Sequence, residues 1–219
     1  MDEQNYKKGT TTVGIVCRDG VILAADKRAT MGYLVANKDV DKILMITDKI
    51  GMTMAGSVGD AQVLAKYLKA EMELYRLNTG IEPSVTVAAN LMSTIVFERA
   101  KSYMPFFVQV ILAGADGKDE FAIYSLDMGG STIRERQFTS TGSGSPMAFG
   151  VLEDNYRDGI TIEAGIPIAM KAINSAIRRD VFTGEAIDIV VIDKKGFRKL
   201  KAEAPEQKFA ITNRKLTKE

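Results

Sequence analysis

The sequence predicts an α+β fold in which two stacked sheets lie between two layers of helices. Three observations point to it. Strand-like runs arrive in hairpin pairs, helical runs arrive in pairs, and the order is strands, two helices, strands, two helices, strands. Each helical run carries an apolar stripe and so needs a sheet to cover. The 219 residues contain no low-complexity linker, composition break or internal repeat, so a single domain is expected.

Thr11–Cys17 and Val21–Asp26 read as strands around a hairpin turn at Arg18-Asp19-Gly20. Ile43–Ile46 and Gly51–Ala55 form a second pair around Thr47-Asp48-Lys49. From Asp60 to Leu77 the period lengthens, with Val63, Leu64, Tyr67, Leu68, Met72 and Tyr75 at helical spacing, and Asn78-Thr79-Gly80 stops that helix. A second helix runs from an N-cap at Ser84 to about Lys101. Strands follow at Phe107–Ala115, Glu120–Asp127 and Gln137–Thr141, with a turn at Asp127-Met128-Gly129-Gly130. Helices resume at Pro146–Tyr156 and Ile162–Arg179, the latter capped by Thr161 with Glu163 at its positive end. Ile187–Asp193 and Gly196–Lys201 are closing strands, and residues 202–219 read as a loosely held charged tail.

Composition narrows the chemistry. A formal net charge of +1 gives no electrostatic reason to propose nucleic acid or an anionic membrane as partner. Met1–Gly9 has no apolar stretch of the secretory type, no run approaches the ~20 apolar residues of a membrane span, and a cytoplasmic location is expected. Cys17 is the only cysteine and sits in a strand pattern, which suits core packing and a reducing compartment; with no histidine, a structural zinc site is not expected. The absence of histidine also closes every nucleophile scheme that relies on an imidazole base. A threonine whose base is its own freed α-amine stays open, and Gly9-Thr10-Thr11-Thr12 ahead of a strand is the place for it. Thr10 would then require a cut between Gly9 and Thr10. Strand filler is the plainer reading of the threonines.

Hairpin geometry suggests partners. A first turn centred near Asp19 pairs Thr10 with about Arg28 and Thr12 with about Asp26, and a second centred near Asp48 brings Lys42 beside Ala55 and Gly56. Spacing alone leaves a surface salt-bridge cluster open. Ala55-Gly56-Ser57-Val58-Gly59-Asp60 joins a strand to a helix, where backbone N–H groups can face an anion, but it lacks the Lys-Ser/Thr ending of a phosphate-binding loop. Thr141-Gly142-Ser143-Gly144-Ser145-Pro146 is a second such joint, readable as a tight turn with Ser145 as cap and Pro146 in the first helical position.

Taken together, Gly9–Gly14, Ala25-Asp26-Lys27-Arg28, Lys42, Ala55–Ala61 and Thr141–Pro146 resemble a proteasome β subunit of the archaeal type, in the family's order and from Thr10 to about Lys201. The resemblance implies an N-terminal-nucleophile hydrolase with a four-layer αββα sandwich, acting as a threonine endopeptidase without cofactor or metal. It implies a leader, Met1–Gly9, removed autocatalytically from a peptidase domain spanning 10–219. It further implies seven-membered β rings enclosed by rings of a separate α subunit, an unfolding ATPase that feeds them, and unfolded polypeptides as substrates. Residue by residue, it makes Thr10 the nucleophile with Asp26 and Lys42 as close partners, and Arg28 a supporting position. The Gly56 N–H becomes the oxyanion donor, and Ser143 and Asp180 orient the amine. Thr183 stands where the family commonly has serine. A substrate pocket formed by Ala29, Val40, Leu44, Met54 and Val58 would favour cleavage after large hydrophobic residues.

Chemistry favours the amine. At pH 7 an ordinary lysine is neutral in only about one molecule in 2,500, whereas an α-amine is neutral in roughly one in six. Lys42 competes as base only if desolvation and Arg28 outweigh Asp26.

Overall fold

The computed structural model describes residues 9–102, 104–117 and 120–200. The expected tail at 202–219 and all of the leader except Gly9 lie outside them. The first hairpin is β1 (Thr12–Cys17) and β2 (Gly20–Asp26), followed by β3 (Ala29–Met31) and β4 (Leu34–Asn37). Next come β5 (Ile43–Thr47), β6 (Ile50–Thr53) and the two-residue β7 (Ala55–Gly56), then helices α1 (Val58–Thr79) and α2 (Val85–Ala100). Strands β8 (Val108–Ala115), β9 (Phe121–Leu126), β10 (Thr132–Glu135) and β11 (Phe138–Thr141) precede α3 (Ser145–Asn155) and α4 (Ile162–Ile177). The described chain closes on β12 (Ile187–Asp193) and β13 (Gly196–Leu200).

The helix ends follow the cap chemistry read from the sequence. Ser84 and Thr161 accept backbone N–H groups at the starts of α2 and α4, and Gly80 ends α1 in the left-handed conformation at φ +69°. Helix α1 begins at Val58 rather than Asp60, capped by Ser57, which the sequence reading did not single out. The joint before α3 differs from expectation. Gly144 is the N-cap, without a side-chain cap bond, and Ser145 already lies in the helix, which shifts Pro146 to its second position.

One antiparallel sheet runs β11-β1-β2-β12-β13, and a second runs β10-β9-β8-β6-β5 with β7 joined to β8. Period-two alternation sends β2 to both sides of the first sheet. Ile22 and Ala24 pack with Ala169, Ala172 and Ile173 of α4, while Val21, Leu23 and Ala25 meet Ile111, Ala113 and Ile123 of the second sheet. The outer side of the second sheet packs Met52, Val110 and Leu112 against Leu64, Leu68 and Met92 of α1 and α2. Burying one such side chain contributes about 1.5–3 kcal/mol, so these shared faces hold the strand ends in place. Among the described residues, no helix is long and apolar enough to cross a membrane.

Both hairpin registers differ from the sequence estimate. The first turn contains only Arg18 and Asp19, so Thr12 faces Ala25, and Asp26 falls opposite Thr11 rather than Thr12. In the second, an irregularity between Met45 and Thr47 shifts the pairing, and Lys42 lies beside Met54 rather than Ala55 or Gly56. Strands β3, β4 and β10 were not anticipated. The first two are short and half-exposed to exposed apart from Thr30, and β10 is half-exposed to exposed throughout, so none carries a buried alternation.

Candidate active site

Thr10 and Thr11 enter the interior just before β1, both buried. Two glycines of the Thr141–Pro146 joint make room for them. A Cβ on Gly142, whose φ is +92°, would lie 2.0 Å from the Thr10 carbonyl oxygen, and one on Gly144 would lie 2.1 Å from Thr11 Oγ1. Gly142→Ala therefore meets both a strained backbone and a backbone collision. It should lose roughly 1–3 kcal/mol from strain alone, read as a lower melting temperature.

Asp26, at the end of β2, is wholly buried and accepts four donors. Its Oδ1 takes Thr11 N–H at 2.9 Å and Lys42 Nζ at 2.8 Å; its Oδ2 takes the N–H groups of Arg28 and Gly184, each at 3.1 Å. Lys42 is 4% exposed, so these two residues form a buried pair and not the surface cluster that spacing left open. Burial pulls the Lys42 ammonium below the ordinary lysine pKa, outweighing Asp26, which acts in the opposite direction. Lys42 thus releases its proton more readily than a surface lysine.

A second set of hydroxyls converges on Asp180. Its Oδ2 accepts Ser143 Oγ at 2.6 Å and Thr183 Oγ1 at 2.5 Å. Each hydroxyl has one proton to give. With Thr183 donating to Asp180, Thr11 must donate in the 2.7 Å contact between Thr11 Oγ1 and Thr183 Oγ1. Ser143, likewise committed, accepts from Thr10 N–H at 3.4 Å. All protons in this chain point towards Asp180, leaving a Ser143 lone pair on the Thr10 nitrogen. Thr183 thus links Thr11 to Asp180 through its hydroxyl.

Thr10 Oγ1 donates to the carbonyl oxygen of Gly9 at 2.7 Å, which holds the hydroxyl against the peptide bond between the two residues. Gly9 itself is set by neighbours remote in sequence. Its N–H donates to Thr30 Oγ1 at 3.4 Å, and a Cβ on it would lie 1.5 Å from Phe182 Cβ and 2.7 Å from Phe182 Cα. Lack of space is thus the reason for glycine here.

Arg28 braces the segment after α4, donating to Val181 O at 3.0 Å and to Glu185 at 3.1 Å. Gly56, in β7 beside β8, has φ +108°, and a Cβ there would stand 2.3 Å from Phe107 O, so only glycine fits. Of the expected pocket residues, Met54 lies within the core under α1 and α2, and Val40, Leu44 and Val58 pack against it. Ala29 sits apart from that cluster, in β3. Burial, with Asp19 adding, raises the Cys17 thiol to about 12, which leaves it inert in the core.

Sequence reading missed Thr11, Thr30 and Phe182. The triplet of threonines marked the first as strand-like only, and contacts across 21 and 173 positions leave no local signal for the other two.

A family model described as "Proteasome subunit" matches residues 6–192. The chain is 46% identical to the Proteasome subunit beta of Methanosarcina mazei over 213 residues, covering 97% of this chain and 100% of that one. It is 52% identical to the Proteasome subunit beta of Methanosphaera stadtmanae over 198 residues, 90% and 93% of the two chains. With the Proteasome subunit beta 1 of Thermococcus onnurineus the identity is 49% over 199 residues, 91% and 96%.

Proposed function

Because the chain belongs to the proteasome subunit family, among β subunits that act as threonine proteases, we propose that it is a self-activating threonine endopeptidase of a 20S-type core particle. The observation that carries this reading is the Thr10 hydroxyl held 2.7 Å from the Gly9 carbonyl oxygen, in the residue before Thr11, whose N–H binds Asp26 of the buried Lys42–Asp26 pair. In this reading Met1–Gly9 is a leader and the domain from Thr10 onward is a four-layer αββα sandwich of the N-terminal-nucleophile type. The packing of helix pairs on the outer faces of two stacked sheets supports that architecture.

Activation begins with Thr10 Oγ attacking the Gly9 carbonyl carbon while its proton passes to the only basic side chain in the buried pair, Lys42. At this stage the Thr10 nitrogen is an amide and cannot act as base. Collapse breaks the Gly9–Thr10 C–N bond, with the proton delivered to the departing nitrogen, and leaves the leader as an ester on Oγ. Water then hydrolyses the ester, releasing the leader carboxylate and restoring the Thr10 hydroxyl beside the amine freed in the previous step. In each later turnover that amine accepts the hydroxyl proton, with Lys42 relaying it, while Oγ adds to the substrate carbonyl carbon. The peptide C–N bond then breaks and the proton goes to the departing amine. Water hydrolyses the resulting ester to release the acyl product as a carboxylate and restore the hydroxyl. The Gly56 N–H holds the developing oxyanion, worth about 3 kcal/mol for such a donor. Ser143, Asp180 and Thr183 orient the amine, and Asp26 and Arg28 hold the surrounding backbone.

In this reading Val40, Leu44, Met54 and Val58, which pack together, and Ala29, apart from them in β3, supply the apolar surface that receives large hydrophobic substrate side chains. The proposed setting is a cytoplasmic particle with α-subunit rings, seven-membered β rings and an unfolding ATPase that supplies unfolded polypeptide.

N-terminal sequencing of the particle assembled with α subunits tests this reading. Threonine is expected first, and methionine first in a fully active particle would overturn it. The pH profile gives a second check. The base must be neutral, so kcat/KM for a hydrophobic peptide should fall as pH drops through the α-amine range near ~7.7.

A further inference from the structure

Residues 38–42 connect β4 to β5 and carry both Val40 and Lys42. Successive side chains of this segment have opposite destinations. Val40 packs on the core beneath α1 and α2, and Lys42 reaches Asp26. Asp39 and Asp41 instead enter a cluster of five charges with Lys27, Asp188 and Lys199. Lys27 pairs with Asp39 and stands 3.7 Å from Asp41 and 3.6 Å from Asp188. Lys199 bridges Asp41 at 2.7 Å and Asp188 at 2.9 Å.

The cluster joins the connector to a stiff base. Asp188 is buried in β12, next to β2, and Lys199 lies on β13. Lys27 immediately follows Asp26, and its carbonyl accepts Val40 N–H at 3.0 Å. The Lys199 ammonium beside Asp41 holds that carboxyl below the usual carboxylate range, as expected of a formed pair. Because alternate residues of an extended segment face opposite ways, a one-residue slip would exchange the two sets of side chains. Asp39 and Asp41 are well exposed, so isolated pairs here would contribute little to stability; a network tied to a buried aspartate can still fix register.

We propose that Lys27, Asp41, Asp188 and Lys199 are positioning residues that lock the register of the 38–42 connector and thereby place the Lys42 ammonium on Asp26. This rests on the peptidase reading above, in which Lys42 takes part in proton transfer. A small displacement of such a group costs far more in rate than in stability.

The test compares Lys199→Met, Lys199→Arg, Asp41→Asn and Lys42→Ala in the assembled particle. It measures kcat and KM for a fluorogenic hydrophobic peptide, and the melting temperature. Lys199→Met and Asp41→Asn should each lower kcat between about five- and a hundredfold, with KM within about twofold and melting within a few degrees. Lys199→Arg, which keeps the charge, should retain most of the rate. Unchanged kcat in Lys199→Met, or a loss that Lys199→Arg shares in full, overturns the proposal. If the unaltered particle does not hydrolyse the peptide, the peptidase reading fails. If Lys42→Ala turns over normally, Lys42 leaves the mechanism and the positioning proposal falls with it. If Lys42→Ala is inactive while Lys199→Met is normal, only the positioning role fails.

Discussion

Thr10→Ala is expected to keep the leader attached and to reduce peptide hydrolysis by roughly 10⁴-fold or more. Loss of the attacking atom of an acyl-transfer enzyme has consequences of that size. The fold should tolerate the change. The Thr10 hydroxyl donates to the Gly9 carbonyl, whereas the neighbouring backbone is held through Thr11, Asp26 and Ser143. Two measurements on the assembled particle decide the matter: intact mass for the leader, and turnover of a hydrophobic fluorogenic peptide. A variant that removes the leader or hydrolyses the peptide at a near-native rate would show that the nucleophile lies elsewhere.

Lys42→Ala should be nearly as damaging, through two separable effects. The first is chemical: the ammonium paired with Asp26 is gone, and loss of a positioned proton-transfer group costs about 10²–10⁴-fold in rate. The second is structural. Asp26 is wholly buried, and removing one partner of a buried pair leaves an uncompensated charge at a cost of about 3–5 kcal/mol. The three backbone N–H groups that also reach Asp26 moderate that figure. Calorimetry alongside activity separates the two. A Lys42→Ala protein of native stability and native turnover would remove Lys42 from the mechanism. Adding Asp26→Asn to Lys42→Ala should not restore full stability, because each Asp26 oxygen accepts a backbone N–H and the new amide NH2 would face one of them.

The element order was legible because it depends on local signals. Ser84 and Thr161 cap helices because their hydroxyls reach backbone N–H groups three positions on, and Gly80 ends α1 because its φ is positive. Register was less legible. A one-residue error in the first turn moved Asp26 from Thr12 to Thr11, and nothing within Arg18-Asp19-Gly20 states whether the glycine belongs to the turn or the strand. The exposed pair β3 and β4 escaped notice for lack of buried alternation, yet β3 carries Thr30, which binds the Gly9 N–H.

The amino-acid sequence by itself determined which chemistries were possible. A chain with no histidine, one strand-bound cysteine and a glycine-threonine junction leaves few nucleophile schemes, since residue type alone sets ordinary proton affinities. Tertiary structure decided which groups meet and how they behave. Asp26 and Lys42 form a buried pair only because two hairpins from different sheets end at the same place. The balance between burial and attraction that lowers the Lys42 proton affinity follows from that enclosure. The same holds for Phe182 against Gly9 and for Gly142 and Gly144 against Thr10 and Thr11. Desolvation and close contact are properties of residues far apart along the chain, and they exist only once the layers have packed.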